Sequence, residues 1–385
     1  MLFRVLMTCG VMCGAIVAQA ATPAELVQTI KSVGNEGAGH SAAVRAVKEL
    51  SQSDAAALPE ILKAFENASP LQSNWLRGAF EAIADRARKE NKLSAAMLEG
   101  FARDTARNPS ARRMAYEWLL TLDAGASDRL IPGMLRDPSP EFRRDAVDGR
   151  RREADWLREK GFNKEAIAAY RQALSGAVDD DQVKAIVKPL RELGETVDLQ
   201  QHFGFLATWR LIGPFDNTDG KGFDTVYPPE REVNFAAKYA GKSAEVAWIE
   251  HRTDNDYGIV DLAKALEPFK GAVTYAATEY HSASDQVVDI RLGTPNAWKL
   301  WVNGQLLFGR DEYHRNMQID QYRVRAPLKQ GQNEILLKVC QNEQSEDWAQ
   351  RWQYQVRICD AAGAAIPPAT AKTSSKSQGP NSQLE

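Results

Sequence analysis

The chain has 385 residues, with 48 Lys and Arg against 51 Asp and Glu and a net charge of −3. That balance gives no electrostatic case for nucleic acid or an anionic membrane surface as partner. The length predicts two domains, and the composition changes character near residue 200.

Arg4 is the only charge in the first 22 residues, and an apolar run from Val5 to Val17 leads to Ala18-Gln19-Ala20. A positive start, a short apolar core and a small-x-small site predict a secretory signal peptide over 1–20 and export to the periplasm or beyond. The run falls short of the about 20 residues a membrane anchor needs. Cys9 and Cys13 lack the small residue directly before them that lipidation requires, and no later stretch predicts a membrane span. Past the signal segment only Cys340 and Cys359 remain. Were their strand-like runs a simple hairpin, the two thiols would lie roughly 20 Å apart, too far for a disulfide.

From Pro23 to Glu195 the pattern is helical. Asn67-Ala68-Ser69-Pro70, Asn108-Pro109-Ser110 and Asp137-Pro138-Ser139-Pro140 each set a cap residue close to a proline, which marks a helix start. Pro109-Ser110-Ala111-Arg112-Arg113-Met114-Ala115 is echoed by Pro140-Glu141-Phe142-Arg143-Arg144-Asp145-Ala146 at a shift of 31. These features resemble short bacterial HEAT repeats. Gly161 to Leu174, with Val183 to Leu193 ending at Gly194, resembles a tetratricopeptide hairpin. The resemblance implies an α-helical repeat solenoid over 21–200 that holds a protein partner.

After residue 200 short strand-like runs take over, and six of nine tryptophans lie there. Runs are predicted at Phe205–Ile212, Val246–Glu250, Val273–Tyr280, Val287–Leu292, Trp298–Val302, Leu306–Gly309, Tyr322–Ala326, Ile335–Val339 and Trp352–Ile358. Asn303-Gly304 is a two-residue hairpin signal. Antiparallel strands of this length and spacing predict a β-sandwich. The last 24 residues, 362–385, are rich in Ala, Ser, Pro, Lys and Gln and predict a disordered tail.

Lys299-Leu300-Trp301-Val302-Asn303-Gly304, followed by Leu328-Lys329-Gln330-Gly331-Gln332-Asn333-Glu334-Ile335-Leu336-Leu337-Lys338-Val339, resembles the galactose-binding-like jelly-roll, as in the sugar-binding domain of family 2 glycoside hydrolases. Trp209 to Phe215, with Gly222-Phe223-Asp224 and Pro228-Pro229-Glu230, resembles the opening of that module. The resemblance covers about 203–361 and implies a fold whose matched residues do structural work, with carbohydrate or cell-envelope glycan as ligand.

No metal-ligand pair of histidines, nucleophile elbow, phosphate loop or dinucleotide fingerprint is present, so the chain predicts no catalytic residue and no cofactor. The loop Asp216–Asp224 concentrates carboxylate and amide oxygens, the ligand type calcium prefers, with Asp216, Asp219 and Asp224 as candidate ligands; an exposed turn held by Asx hydrogen bonds is the rival account. Trp301, Tyr313 and Trp348 are candidates for stacking on a sugar face, with Arg310 and Asp311 for its hydroxyls. The rival account, which is the commoner fate of a tryptophan and the favoured one for Trp301, is that they fill the core. In β order Trp298, Leu300 and Val302 face one way and Lys299 and Trp301 the other, and the face bearing Lys299 is expected to be wet. The expectation is an exported, non-catalytic protein, α then β. Its alternatives are a protein–protein scaffold without a glycan ligand and a hydrolase with a site between the domains.

Overall fold

The computed structural model describes residues 21–369, and contacts group the chain into two compact units, Met1–Ala146 and Val147–Glu385. Helices run to about residue 203, and antiparallel strands follow between residues 208 and 359. The expected signal peptide, 1–20, lies outside the described residues, as do residues 370–385 of the expected tail.

The first unit holds α1 (Pro23–Lys31), α2 (His40–Leu50), α3 (Leu58–Lys63), α4 (Pro70–Lys89), α5 (Ala95–Arg103), α6 (Pro109–Leu120), α7 (Ala126–Leu130) and the start of α8 (Pro140–Glu159). The polar breaks act as read. Ser69 and Gln72 exchange side-chain bonds with each other's backbone N–H, a capping box at the start of α4. The Asn108 side chain accepts from the N–H groups of Ser110 and Ala111, a cap worth about 1 kcal/mol. Leu26, Ile30, Ile61, Phe80, Ile83, Leu119 and Phe142 belong to one buried cluster.

The echoed segments open α6 and α8, so Arg112 and Arg143 sit at the same place in two helices 31 residues apart. Both grip the loop before α8. Arg112, fully buried, donates to both carboxylate oxygens of Asp137 at 2.7 Å and to the Ala102 carbonyl at 2.9 Å. Arg143 donates to the Asp137 carbonyl at 3.0 Å.

In the second unit α9 (Asn163–Gly176) packs on α10 (Asp180–Glu192), and α11 (Leu199–Phe203) leads into the strands. As predicted, α10 ends at Gly194, where φ is 86° and the Glu195 N–H returns to the Leu190 carbonyl. Tyr257 donates to Asp180, and Gln200 to the carbonyls of Thr253 and Asn255, so the helices and strands of this unit are tied directly.

The strands are β1 (Thr208–Asp216), β2 (Lys238–Ala240), β3 (Glu245–Ala247), β4 (Ile249–Arg252), β5 (Val260–Asp261), β6 (Ala272–Ser282), β7 (Gln286–Gly293), β8 (Ala297–Val302), β9 (Gln305–Arg310), β10 (Tyr322–Leu328), β11 (Gly331–Gln341) and β12 (Gln353–Cys359). One sheet has the order β4-β1-β6-β11-β8-β9, another β10-β7-β12-β5, and β2 and β3 form a ribbon. Asn303 (φ 51°) and Gly304 (φ 76°) make the predicted β8–β9 turn.

Trp298, Leu300, Ile335, Leu337 and Val339 of the six-stranded sheet share a buried cluster with Val288, Ile290, Val324, Val356 and Ile358 of the four-stranded sheet. Each fully buried side chain of this kind contributes about 1.5–3 kcal/mol. The alternation predicted for β8 holds, with Trp298, Leu300 and Val302 in this cluster.

The expected wet face is not wet. Residues 217–248 cover the outer face of the six-stranded sheet, and Phe223, Tyr227, Phe235 and Trp248 pack there against Ile212, Tyr275, Leu336 and Trp301. Trp301 is only 5% exposed. An amphipathic strand could not reveal this, because a distant segment supplies the cover. The buried Lys338 fixes it: its three ammonium protons reach the carbonyls of Phe223 (2.9 Å) and Thr225 (2.8 Å) and the Glu230 carboxylate (2.7 Å).

Two further expectations change. β11 and β12 lie in different sheets rather than in one hairpin, and Cys340 and Cys359 are both free and buried. Residues 362–369, read as tail, fold back on the strands. Ile366 packs on the core, its carbonyl accepts from Tyr280, and its N–H donates to the Ile358 carbonyl. Ile366 supplies the apolar group that the composition of the segment as a whole concealed.

Candidate ligand-binding site

The strand registers bring the ends of β1, β9 and β11 and the starts of β6 and β8 to one edge of the six-stranded sheet. The loops beyond these ends, 217–224, 311–321 and 342–352, carry the candidate residues Asp219, Asp224, Asp311, Tyr313 and Trp348, and Asp216 and Arg310 end their strands there.

Asn217, fully buried, joins these loops. Its side-chain amide donates to the Tyr313 hydroxyl and the Gln341 carbonyl, each at 3.0 Å, and its N–H donates to the Gly271 carbonyl. The sequence reading counted Asn217 only as one oxygen among several. Gly222 closes the turn: a Cβ there would strike the Asp216 carbonyl and Val273.

The three candidate metal ligands do not converge. Asp216 accepts from Thr218 and pairs with Lys242 at 3.1 Å, Asp219 pairs with Lys221 at 2.9 Å, and Asp224 pairs with Lys299 at 3.1 Å. The Thr218 bonds, then Lys242, hold the Asp216 carboxyl below its ordinary value. No group of three or more metal-ligating side chains occurs among the described residues. The loop is held instead by the Asx bonds and ion pairs of a turn.

Trp348 is different. It is 61% exposed, while Trp209, Trp298 and Trp352 are fully buried. The 3₁₀ turn beneath it, Asp347–Ala349, is anchored through the Ala349 carbonyl, which accepts from Lys270 (2.9 Å) and Gln341 (3.1 Å). The His314 ring meets the indole edge-on at 4.9 Å, and its Nε2 lies 2.9 Å from Asn342 Oδ1. The Asn342 amide in turn donates to Gln344 at 2.9 Å. An indole fixed at its base and edge, its bracing histidine linked to side-chain amides, offers a flat apolar face with hydrogen-bonding groups in the same loops.

The remaining candidates are spread around this end. Arg310, exposed, lies over Phe308 and 3.9 Å from Glu312. Tyr313 is drawn inward, and burial pushes its phenol above its usual value. Desolvation first, then the Asp224 charge, hold the Asp311 carboxyl above its ordinary range. His314, Asn342 and Lys270 went unnoticed in the sequence, since each is isolated there and only the loop packing unites them.

No family model matches the chain, and no curated protein matches it. Among solved structures, the β-glucosidase of Kluyveromyces marxianus in complex with glucose is 11% identical, with a TM-score of 0.25, covering 40% of this chain and 16% of that one. A family 31 α-xylosidase of Xanthomonas citri is 13% identical, with a TM-score of 0.19 and the same two coverages. Another structure of the Kluyveromyces enzyme is 7% identical, with a TM-score of 0.26, covering 73% of this chain and 35% of that one. The chain thus spans about a sixth of the first two and about a third of the other. Likeness this slight establishes neither fold family nor activity.

Proposed function

We propose that the protein is an exported, non-catalytic glycan-binding protein whose strands form a galactose-binding-like jelly-roll and whose helical repeats hold a protein partner. The observation that carries this reading is the Trp348 platform: a 61%-exposed indole braced by His314, whose ring is linked to Asn342 and through it to Gln344. Sugar rings stack their C–H faces on such a surface while side-chain amides meet their hydroxyls. The reading is non-catalytic because the sequence holds no nucleophile elbow, histidine metal pair, phosphate loop or dinucleotide fingerprint. Export rests on the apolar run before Ala18-Gln19-Ala20.

Affinity electrophoresis of the whole protein against a panel of neutral and acidic polysaccharides tests the reading. Trp348→Ala should weaken binding about tenfold or more and leave the fold intact. Equal retardation of wild type and variant, or none for either, would sink it.

The scaffold reading has its own observation. On the edge strand β9, Leu306 (50% exposed) and Phe308 (43%) present apolar side chains to solvent, as does Val287 on β7. It gains if no polysaccharide binds while a β9 variant abolishes capture of a partner.

A further inference from the structure

Within the second unit a cleft of about 700 Å³ opens between α10 and the strands. It shares no lining residue with the Trp348 platform, so it stands or falls separately from the proposed function. Asp180 and Lys184 line one side, Tyr257 and Ile259 lie in the approach to β5, and Arg351, Gln353 and Gln355 run into β12.

Gln355 is the most telling of these. It is 4% exposed, and its side-chain amide makes no hydrogen bond with any described residue, while its backbone is paired with Gly293. The side chain lines the cleft, so water or a ligand can reach its amide. Gly293 makes the room for it: a Cβ there would stand 3.1 Å from the amide nitrogen. An unpaired amide in a cleft wall is a group waiting for a ligand's hydroxyl or carbonyl.

The charges give the second half of the ligand. Asp180 is matched by Lys184 at 2.6 Å and accepts from the Tyr257 hydroxyl at 2.9 Å. Those bonds, with Lys184 over the ring at 5.4 Å, fix the Tyr257 ring. Arg351 is exposed, and among the described residues its guanidinium has no ion pair or hydrogen bond. The cleft therefore carries one uncompensated positive charge in the planar form that takes a carboxylate through two parallel bonds.

We propose that this cleft binds an acidic saccharide, with the carboxylate of a uronic acid residue on Arg351 and ring hydroxyls on the amides of Gln355 and Gln353. Tyr257 and Ile259 supply the apolar wall that a sugar face requires.

Calorimetry on the whole protein tests it with two uronic disaccharides, digalacturonate and cellobiouronate, against neutral galactobiose and cellobiose. At least one acidic disaccharide should bind better than its neutral counterpart, and Arg351→Gln should weaken that binding about tenfold or more. Gln355→Leu should also weaken binding while leaving the melting temperature nearly unchanged, since the amide holds no other described residue. An amide with a merely structural role would lower it. Trp348→Ala should leave this binding unchanged. The proposal fails if neither acidic disaccharide binds, if acidic and neutral probes bind alike, or if Arg351→Gln has no effect. It also fails if Trp348→Ala abolishes the binding.

Discussion

Arg112 in the first unit and Lys338 in the second are both fully buried cations, and they are satisfied over very different reaches of chain. Arg112 finds its partners 10 and 25 residues away, at Ala102 and Asp137. Lys338 finds them 115, 113 and 108 residues away, at Phe223, Thr225 and Glu230. The arginine therefore locks one helix onto the next within a locally folded unit. The lysine instead holds a distant segment over one face of a sheet whose other face is already buried. The planar guanidinium suits the paired oxygens of Asp137, and the ammonium suits three separate acceptors. In both cases the desolvation cost, several kcal/mol per ion, is offset only because every partner is present.

The largest effect is expected in the first unit. Arg112→Met leaves the Asp137 side chain, 3% exposed, without its counter-ion. Removing one partner of a buried pair costs about 3–5 kcal/mol. Two compact units need not unfold as one, so urea unfolding followed by hydrogen exchange should show the loss within residues 21–146 only. A loss below about 1 kcal/mol would mean that water reaches the pair.

Lys338→Met sharpens the comparison, because the same chemical deletion should act on a cover rather than on a core. Glu230 keeps the Tyr275 hydroxyl and remains 9% exposed, so its loss should fall short of the full break. Exchange protection should drop across 217–248 while the strands sharing the inner cluster keep theirs. Equal loss in both places would show that cover and sheet fold as one element. Burial pushes the Lys338 ammonium below its ordinary value against the pull of Glu230, so the methionine is not replacing a comfortable charge.

The same difference in reach separates what the sequence disclosed from what it hid. Helix starts at Ser69 and Asn108, the α10 stop at Gly194, the long strands of the two main sheets and the turn at Asn303-Gly304 are all written in residues a few positions apart, whereas the two-residue β5 is not legible in the sequence. The dry outer face around Trp301 depends on a segment some 50–85 residues upstream, and no strand pattern encodes that. The candidate site divides in the same way. Trp348 could be named from its type alone, but its bracing by His314, Asn342 and Lys270 arises only where three loops meet. The acidic loop looked like a cation site because sequence counts oxygens, whereas lysines distant in the chain take two of its carboxylates.

The smallest effect concerns a third cation of long reach. Arg357, 2% exposed, donates to the carbonyls of Phe203 and Gly363 and pairs with Asp320, which Arg291 also holds at 2.6 Å. It thereby ties α11, the β9–β10 loop and the segment after β12 into one knot. Burial pushes the Asp320 carboxyl up, but Arg357 and Arg291 pull it further down, leaving it below its ordinary value. A carboxyl lowered on folding contributes stability that is complete above its unfolded value, about pH 4, and is lost as the pH falls through the lower folded value. The second unit should therefore lose melting temperature on acidification below about pH 4. Asp320→Asn should start lower at pH 6 and fall less steeply, because the proton that weakens the wild type has nowhere to bind. If the two acid slopes coincide, Asp320 is not the group that titrates, and the knot draws its strength from the carbonyls of Phe203 and Gly363.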